Sequence, residues 1–134
     1  MTALVLPDTA AFLDFWRERR LCTVSTVRPD GTPHVVPMGV VLDVEADLAW
    51  AITSRQSRKA RNIRAAGPEG APIAACQVDG RHWSTVEGRA LLLDDEASVR
   101  EAEQRYAARY KVPRENPLRV AVRISVTRVL GNVG

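Results

Sequence analysis

Five basic side chains, Arg55, Arg58, Lys59, Arg61 and Arg64, fall within "TSRQSRKARNIRAAG" (53–67), and no carboxylate lies between Asp47 and Glu69. Ser57 is a good N-cap for a helix running from about Ser57 to Ala66, with Gly67-Pro68 as its stop. Cations at a helix start face the positive end of the macrodipole, which is unfavourable for the protein alone. A bound anion reverses the sign. The amides of Arg58, Lys59 and Ala60 are unpaired donors at such a start, and guanidinium and ammonium groups reinforce them for phosphate. Thr53 and Ser54 add hydroxyls a few residues upstream. The plain alternative is a solvated basic face; the disfavoured placement of the charge argues for an anion site instead.

Other chemistry is sparse. The chain of 134 residues carries no G-x-S-x-G, P-loop or G-x-G-x-x-G motif and no metal-spaced cluster, so no catalytic side chain and no metal ligand is assigned. Cys22 and Cys76 have neither redox nor metal spacing and are read as structural. Phe12, Phe15, Trp16 and Trp50 are read as packing, as are Tyr106 and Tyr110. The aromatic residues do not interleave with the basic ones, which argues against a nucleic-acid partner. No stretch reaches membrane-spanning length, no leader pattern opens the sequence, and a reduced, cytoplasmic protein is expected.

The elements that must position the basic helix are mostly strands. "PDTAAFLDFWRERR" reads as a helix capped by Asp8, with Phe12, Leu13, Phe15 and Trp16 on one face. "LCTVSTV" is strand-like, "RPDG" (28–31) is a turn, and "TPHVVPMGVVLD" is extended, with Pro37 requiring an edge or a bulge. "LAWAITS" returns after "EAD". "APIAACQVD" is apolar on both faces for most of its length and predicts a buried strand. A "DG" hairpin joins it to "RHWSTVEGRALLL". "DDEASVREAEQRYAARY" predicts a helix capped by Asp94, and "LRVAVRISVTRVLG" closes the chain with Val120, Val122, Ile124 and Val126 alternating. The pattern is mainly β with a few helices. A single small antiparallel barrel, helices packed outside, removes the sheet edges that such a meander would expose.

"TSRQSRKARNI" after a strand, with "DGTPHVVPMGVVLD" before it and "QVDGRHWSTVEGRA" after it, resembles the pyridoxamine-phosphate-oxidase-like split β-barrel superfamily of flavin and deazaflavin proteins. "VDG-x-x-W", "EGRA" and "RYAxRY…PRxNP…RV" resemble the branch of actinobacterial F420-dependent biliverdin reductases. The resemblance covers nearly the whole chain. It implies that Thr53, Ser54, Ser57, Arg58 and Lys59 bind the cofactor phosphate and that Asn62 lies near the cofactor. His34, Val36, Pro37 and Met38 would run along the tricyclic ring. Gln77 and Trp83 would come from the neighbouring hairpin across a homodimer interface.

One departure from the superfamily separates the cofactors. FMN-dependent members carry an arginine and a lysine at the positions that here are Val36 and Val41. Each lost cation removes a charge-assisted hydrogen bond of about 1.5–3 kcal/mol. Coenzyme F420, with a phosphodiester and an oligoglutamate tail, gives Arg55, Arg61 and Arg64 something to meet, and is expected over FMN. The expected activity is hydride transfer from the reduced deazaflavin to biliverdin or a similar conjugated, hydrophobic acceptor. The alternatives are an FMN oxidoreductase of the same fold, or a protein that holds F420, FMN or haem without turnover.

Overall fold

The computed structural model describes residues 5–133. Alternating apolar residues and short turns give seven strands: β1 (Cys22–Val27), β2 (Pro33–Met38), β3 (Val41–Asp43), β4 (Leu48–Ser54), β5 (Ala71–Asp79), β6 (His82–Leu93) and β7 (Arg119–Gly131). They form one antiparallel sheet in the order β2-β1-β5-β6-β7-β4-β3. The two outermost strands, β2 and β3, are consecutive in sequence and separated only by Gly39 and Val40. A sheet whose edges are joined by two residues must curl until those edges meet. The barrel is therefore closed by the covalent chain at this corner, where the sequence led us to expect closure by pairing. Pro37 sits, as expected, on an edge strand, since β2 pairs with β1 alone.

Three helices complete the fold: α1 (Ala10–Arg17), α2 (Arg58–Ala65) and α3 (Glu96–Arg109). Among the described residues no helix is long and apolar enough to cross a membrane. α1 delivers Phe12, Phe15 and Trp16 to the core, where they meet Val24, Val40, Val86, Val122 and Ile124. Its cap is Thr9, whose Oγ1 accepts from the Phe12 amide at 3.3 Å, and not Asp8. α3 is likewise capped one residue later than expected: Asp95, not Asp94, accepts from the Ser98 amide at 3.0 Å. Either neighbour satisfies the chemical preference, and the extended backbone of Thr9 and Asp95 decides between them.

Two strands depart from their simplest reading. β5 is buried on one face only: Ala71, Ile73, Ala75 and Gln77 point inward, whereas Pro72 and Val78 are exposed. β7 alternates as expected, but Ala121 is buried too, because α3 covers that face with Ala102 against Trp50. Where β6 meets β7, the register shifts between Glu87 and Gly88, and the two backbones approach so closely that a Cβ on Gly88 would lie 2.0 Å from the Ser125 carbonyl oxygen. Only glycine fits this bulge. Gly88→Ala is therefore expected to lower stability by about 2 kcal/mol or more. The measurement is the urea midpoint, and a midpoint equal to that of the parent protein would show that the bulge relaxes freely.

Candidate functional site: a carboxylate-free cationic cradle

Ser57 caps α2 as expected. Its Oγ accepts from the Ala60 amide at 3.1 Å and from the Thr53 hydroxyl at 2.9 Å, so the end of β4 and the start of α2 are tied together. The lead-in is buttressed from the "PRENP" segment: Asn116 donates to Ser54 Oγ at 2.9 Å, and the Arg55 amide donates to the Leu118 carbonyl at 2.8 Å. The Arg58 and Lys59 amides, at the first two helical positions, have no backbone acceptor among the described residues. They are two free donors at a helix start.

On α3 and its neighbours several arginines are paired: Arg100 with Glu96, Arg105 with Asp43 and Glu101, Arg119 with Glu103. Among the described residues, Arg58, Lys59 and Arg61 have no ion-pair partner. Lys59 is half-buried, and this desolvation holds its ammonium below the usual lysine range. A partly desolvated cation without a carboxylate is uncomfortable, and an incoming anion relieves it.

β2 brings a second set of groups to the same place. His34, Val36 and Met38 alternate toward the barrel interior, while Pro33, Val35 and Pro37 face out. His34 stands opposite Thr26 on β1, and Thr26 Oγ1 is 3.0 Å from the amide nitrogen of Asn62, on α2. Asn62 is 2% exposed, yet its Oδ1 has no hydrogen-bond partner; the buried His34 Nδ1 has none either. The imidazole is held below its usual pKa by burial first, then by the positive charges of Arg28, Lys59 and Arg58. Two orphaned polar atoms, two free amides and three cations without a carboxylate therefore adjoin one another. The arrangement is suited to an oxygen-rich anion joined to a polar ring.

Not every expected residue belongs to it. Gln77 is 1% exposed and committed to the core: Nε2 donates to the Phe15 carbonyl at 2.6 Å, and Oε1 accepts from Arg109 Nη2 at 2.6 Å. Its amide is thereby engaged within the core. Its inward position on β5 points it at the α1 terminus, not at α2. Arg55 and Arg64 turn to the far side of the helix, where Arg64 donates to the Arg55 carbonyl and both line a cleft with Leu91, Leu92 and Asp94. Trp83 stands opposite Val78, four residues along β5 from the Ala74–Ser25 pair, which is about 13 Å at strand rise. Its exposed ring does not reach the cradle of its own chain. Arg28 and Thr26, which the sequence showed only as turn and strand residues, are brought in. The sole hint was a cation at the strand-turn boundary directly before "PDG".

A seated anion offsets the three cations and favours the imidazolium of His34, so anion affinity rises as pH falls from about 7.5 toward 5.5. The chain has two histidines, which keeps their imidazole signals easy to separate. Sulfate, whose charge is constant in this range, is expected to move the titration of His34 upward. A sulfate titration that leaves the His34 curve in place would contradict this coupling.

The comparisons agree with the geometry. The family model described as pyridoxamine 5'-phosphate oxidase matches residues 8–132. An F420H(2)-dependent biliverdin reductase of Mycobacterium tuberculosis (strain CDC 1551 / Oshkosh) is 42% identical over 131 residues, covering 98% of this chain and 90% of the relative. A conserved hypothetical protein of Mycobacterium tuberculosis superposes with a TM-score of 0.75 at 25% identity, covering 97% of this chain and 87% of that one. A solved F420 reductase shares the fold with a TM-score of 0.66 at 22% identity, covering 87% of this chain and 94% of that one. The chain belongs to the pyridoxamine 5'-phosphate oxidase family.

Proposed function

We propose that the protein is an F420-dependent reductase that transfers hydride from the reduced deazaflavin to biliverdin or a similar conjugated acceptor. The carboxylate-free cation cluster at the start of α2 carries this reading, and the 42% identity to an F420H(2)-dependent biliverdin reductase supports it. The residues present fit the cofactor. Thr53, Ser57, the Arg58 and Lys59 amides and the side chains of Arg28, Arg58 and Lys59 would hold its phosphodiester. Asn62 and the inward side of β2, from His34 to Met38, would meet the polar edge of its ring. Reduced F420 supplies the hydride when bound. The work of this chain is then binding and orientation, with charge held in place before the ligand arrives, so that little reorganisation is needed on binding.

Two observations favour F420 over FMN. Val36, one of the positions that carries a cation in FMN-dependent members, is a half-buried aliphatic side chain on the inward side of β2. Val41, the other, is likewise aliphatic and lines a cavity of about 230 Å³ with Leu13, Trp16, Leu42, Arg17 and Arg109. The purified protein is expected to quench F420 fluorescence at lower concentration than it binds FMN, and to oxidise reduced F420 with biliverdin. Binding without oxidation would leave a carrier. Lys59→Met is expected to weaken F420 binding tenfold or more, about 1.4 kcal/mol, with Tm unchanged or raised, because the desolvated cation is removed. Equal affinities in calorimetry would count against the site.

The second copy of a homodimer is the natural occupant of the outer face of β2, β1, β5 and β6. Val27, Val35, Val78 and Trp83 are exposed on it. Trp83, on β6 and too far along the sheet to serve its own cradle, is then free to serve the partner's. Val78→Arg is expected to convert a dimer to a monomer by light scattering and to weaken F420 binding with it. A parent protein of monomeric mass would remove the dimer.

A further inference from the structure

A guanidinium buried without a carboxylate is costly, and this fold holds one at a point where the cradle has no claim on it. Arg109, the last residue of α3, is 7% exposed. Burial pulls its pKa down, yet a guanidinium stays charged. Among the described residues it has no ion pair; carbonyl oxygens and rings surround it instead. Nε donates to the Glu18 carbonyl at 3.0 Å, Nη1 to the Val40 carbonyl and Nη2 to Gln77 Oε1 at 2.6 Å. The Trp16 ring lies 5.4 Å away and the Tyr110 ring 5.1 Å. One planar fork therefore joins α3, the segment after α1, β5 and the β2–β3 corner.

Tyr110 grips the same corner from the other side. Its hydroxyl accepts from the Val40 amide at 3.1 Å and donates to the Arg20 carbonyl at 2.6 Å. Both polar groups of the Val40 backbone are thus held by consecutive residues of one element. Gly39 lies flat on the stacked rings of Tyr106 and Tyr110, where a Cβ would come within 2.9 Å of each. β2 pairs with β1 alone, so its course is set by that register and by this corner. A cluster serving stability only would do as well with apolar side chains; a fork and a hydroxyl that bind backbone atoms fix position.

We infer that Arg109 and Tyr110 are positioning residues for the cofactor strand: they clamp Val40 and so hold the inward side of β2, His34 to Met38, at the distance from α2 that one ligand can span. The inference rests on the reading of β2 and α2 as the two walls of the F420 site.

Tyr110→Phe keeps the ring stack and removes the hydroxyl; Arg109→Lys keeps the charge and removes the fork. Each is expected to fold, to exchange the Val40 amide proton at least tenfold faster, and to bind F420 at least tenfold more weakly. Sulfate, held by the amides and side chains at the start of α2 and meeting β2 only at His34, at the end away from Val40, is expected to bind both variants as it binds the parent protein. Tyr106→Phe, whose hydroxyl holds nothing in the corner, is expected to match the parent in all three. A variant that loses sulfate and F420 equally, or neither, overturns the positioning role. If the parent protein fails to bind F420, both this inference and the reductase reading fall. If it binds and the variants bind equally well, only this inference does.

Discussion

Two residues, Gly39 and Val40, connect the first and last strands of a seven-stranded sheet, and most of the architecture follows from that constraint. Strands that are neighbours in sequence but outermost in the sheet can coexist only if the sheet closes on itself around the core. Closure by a covalent corner leaves β2 and β3 each with one paired side, so the corner carries the alignment that a further ladder would have supplied. The bonds to both polar groups of Val40, its complete burial and the absence of a Cβ at residue 39 meet that demand. Backbone groups turned away from a ladder must find partners elsewhere when buried, and here the partners come from the end of α3.

The two short helices that flank the barrel chemistry are built on opposite electrostatic principles. α3 pairs Arg100 and Arg105 with acids on itself and on β3, its Glu103 pairs with Arg119 of β7, and its cap is an aspartate at the favourable end of the dipole. α2 has no acid in its first turn, two cations there and a neutral serine cap. Nothing in helix stability recommends this. The Thr53–Ser57 bond and the Asn116 and Leu118 contacts hold the lead-in rigid without introducing a negative charge, so positive potential is kept at the surface and not cancelled within the chain.

Much of this was legible in the amino-acid sequence, and the gaps have physical causes. The basic helix, its Ser57 cap and the strand alternation of β7 depend on local spacing, which a single sequence displays in full. The off-by-one caps at Thr9 and Asp95 do not, because adjacent side chains offer the same acceptor and backbone torsion chooses. Gln77 and Asn62 are both polar and inward, and local pattern treats them alike. Which neighbour each meets is decided by registers across β1 and β5, and those placed Asn62 beside Thr26 and Gln77 beside Arg109. Arg28 was hidden for the same reason: a turn cation becomes a site residue only when β2 folds back against β1. The two-faced burial expected for β5 is not found: its outer residues Pro72 and Val78 are exposed.

Taken together, β2 has two anchoring ends of different chemistry. At its start, His34 stands among cations that have no ion-pair partner among the described residues; at its end, Val40 is gripped by a cation that carbonyls and rings surround. A guanidinium can be buried at the second end because its fork is saturated by fixed acceptors, so it has no use for a mobile anion. At the first end Arg28 donates to the Pro33 carbonyl, and the side chains of Arg58 and Lys59 have no hydrogen-bond partner among the described residues. An anion entering the molecule therefore meets one receptive pole and not two, and the intervening residues, Val36 and Met38, offer a flat, apolar run between them. That polarity along a single edge strand is what distinguishes a binding strand from a merely structural one, and it is set by which arginines the fold chooses to satisfy.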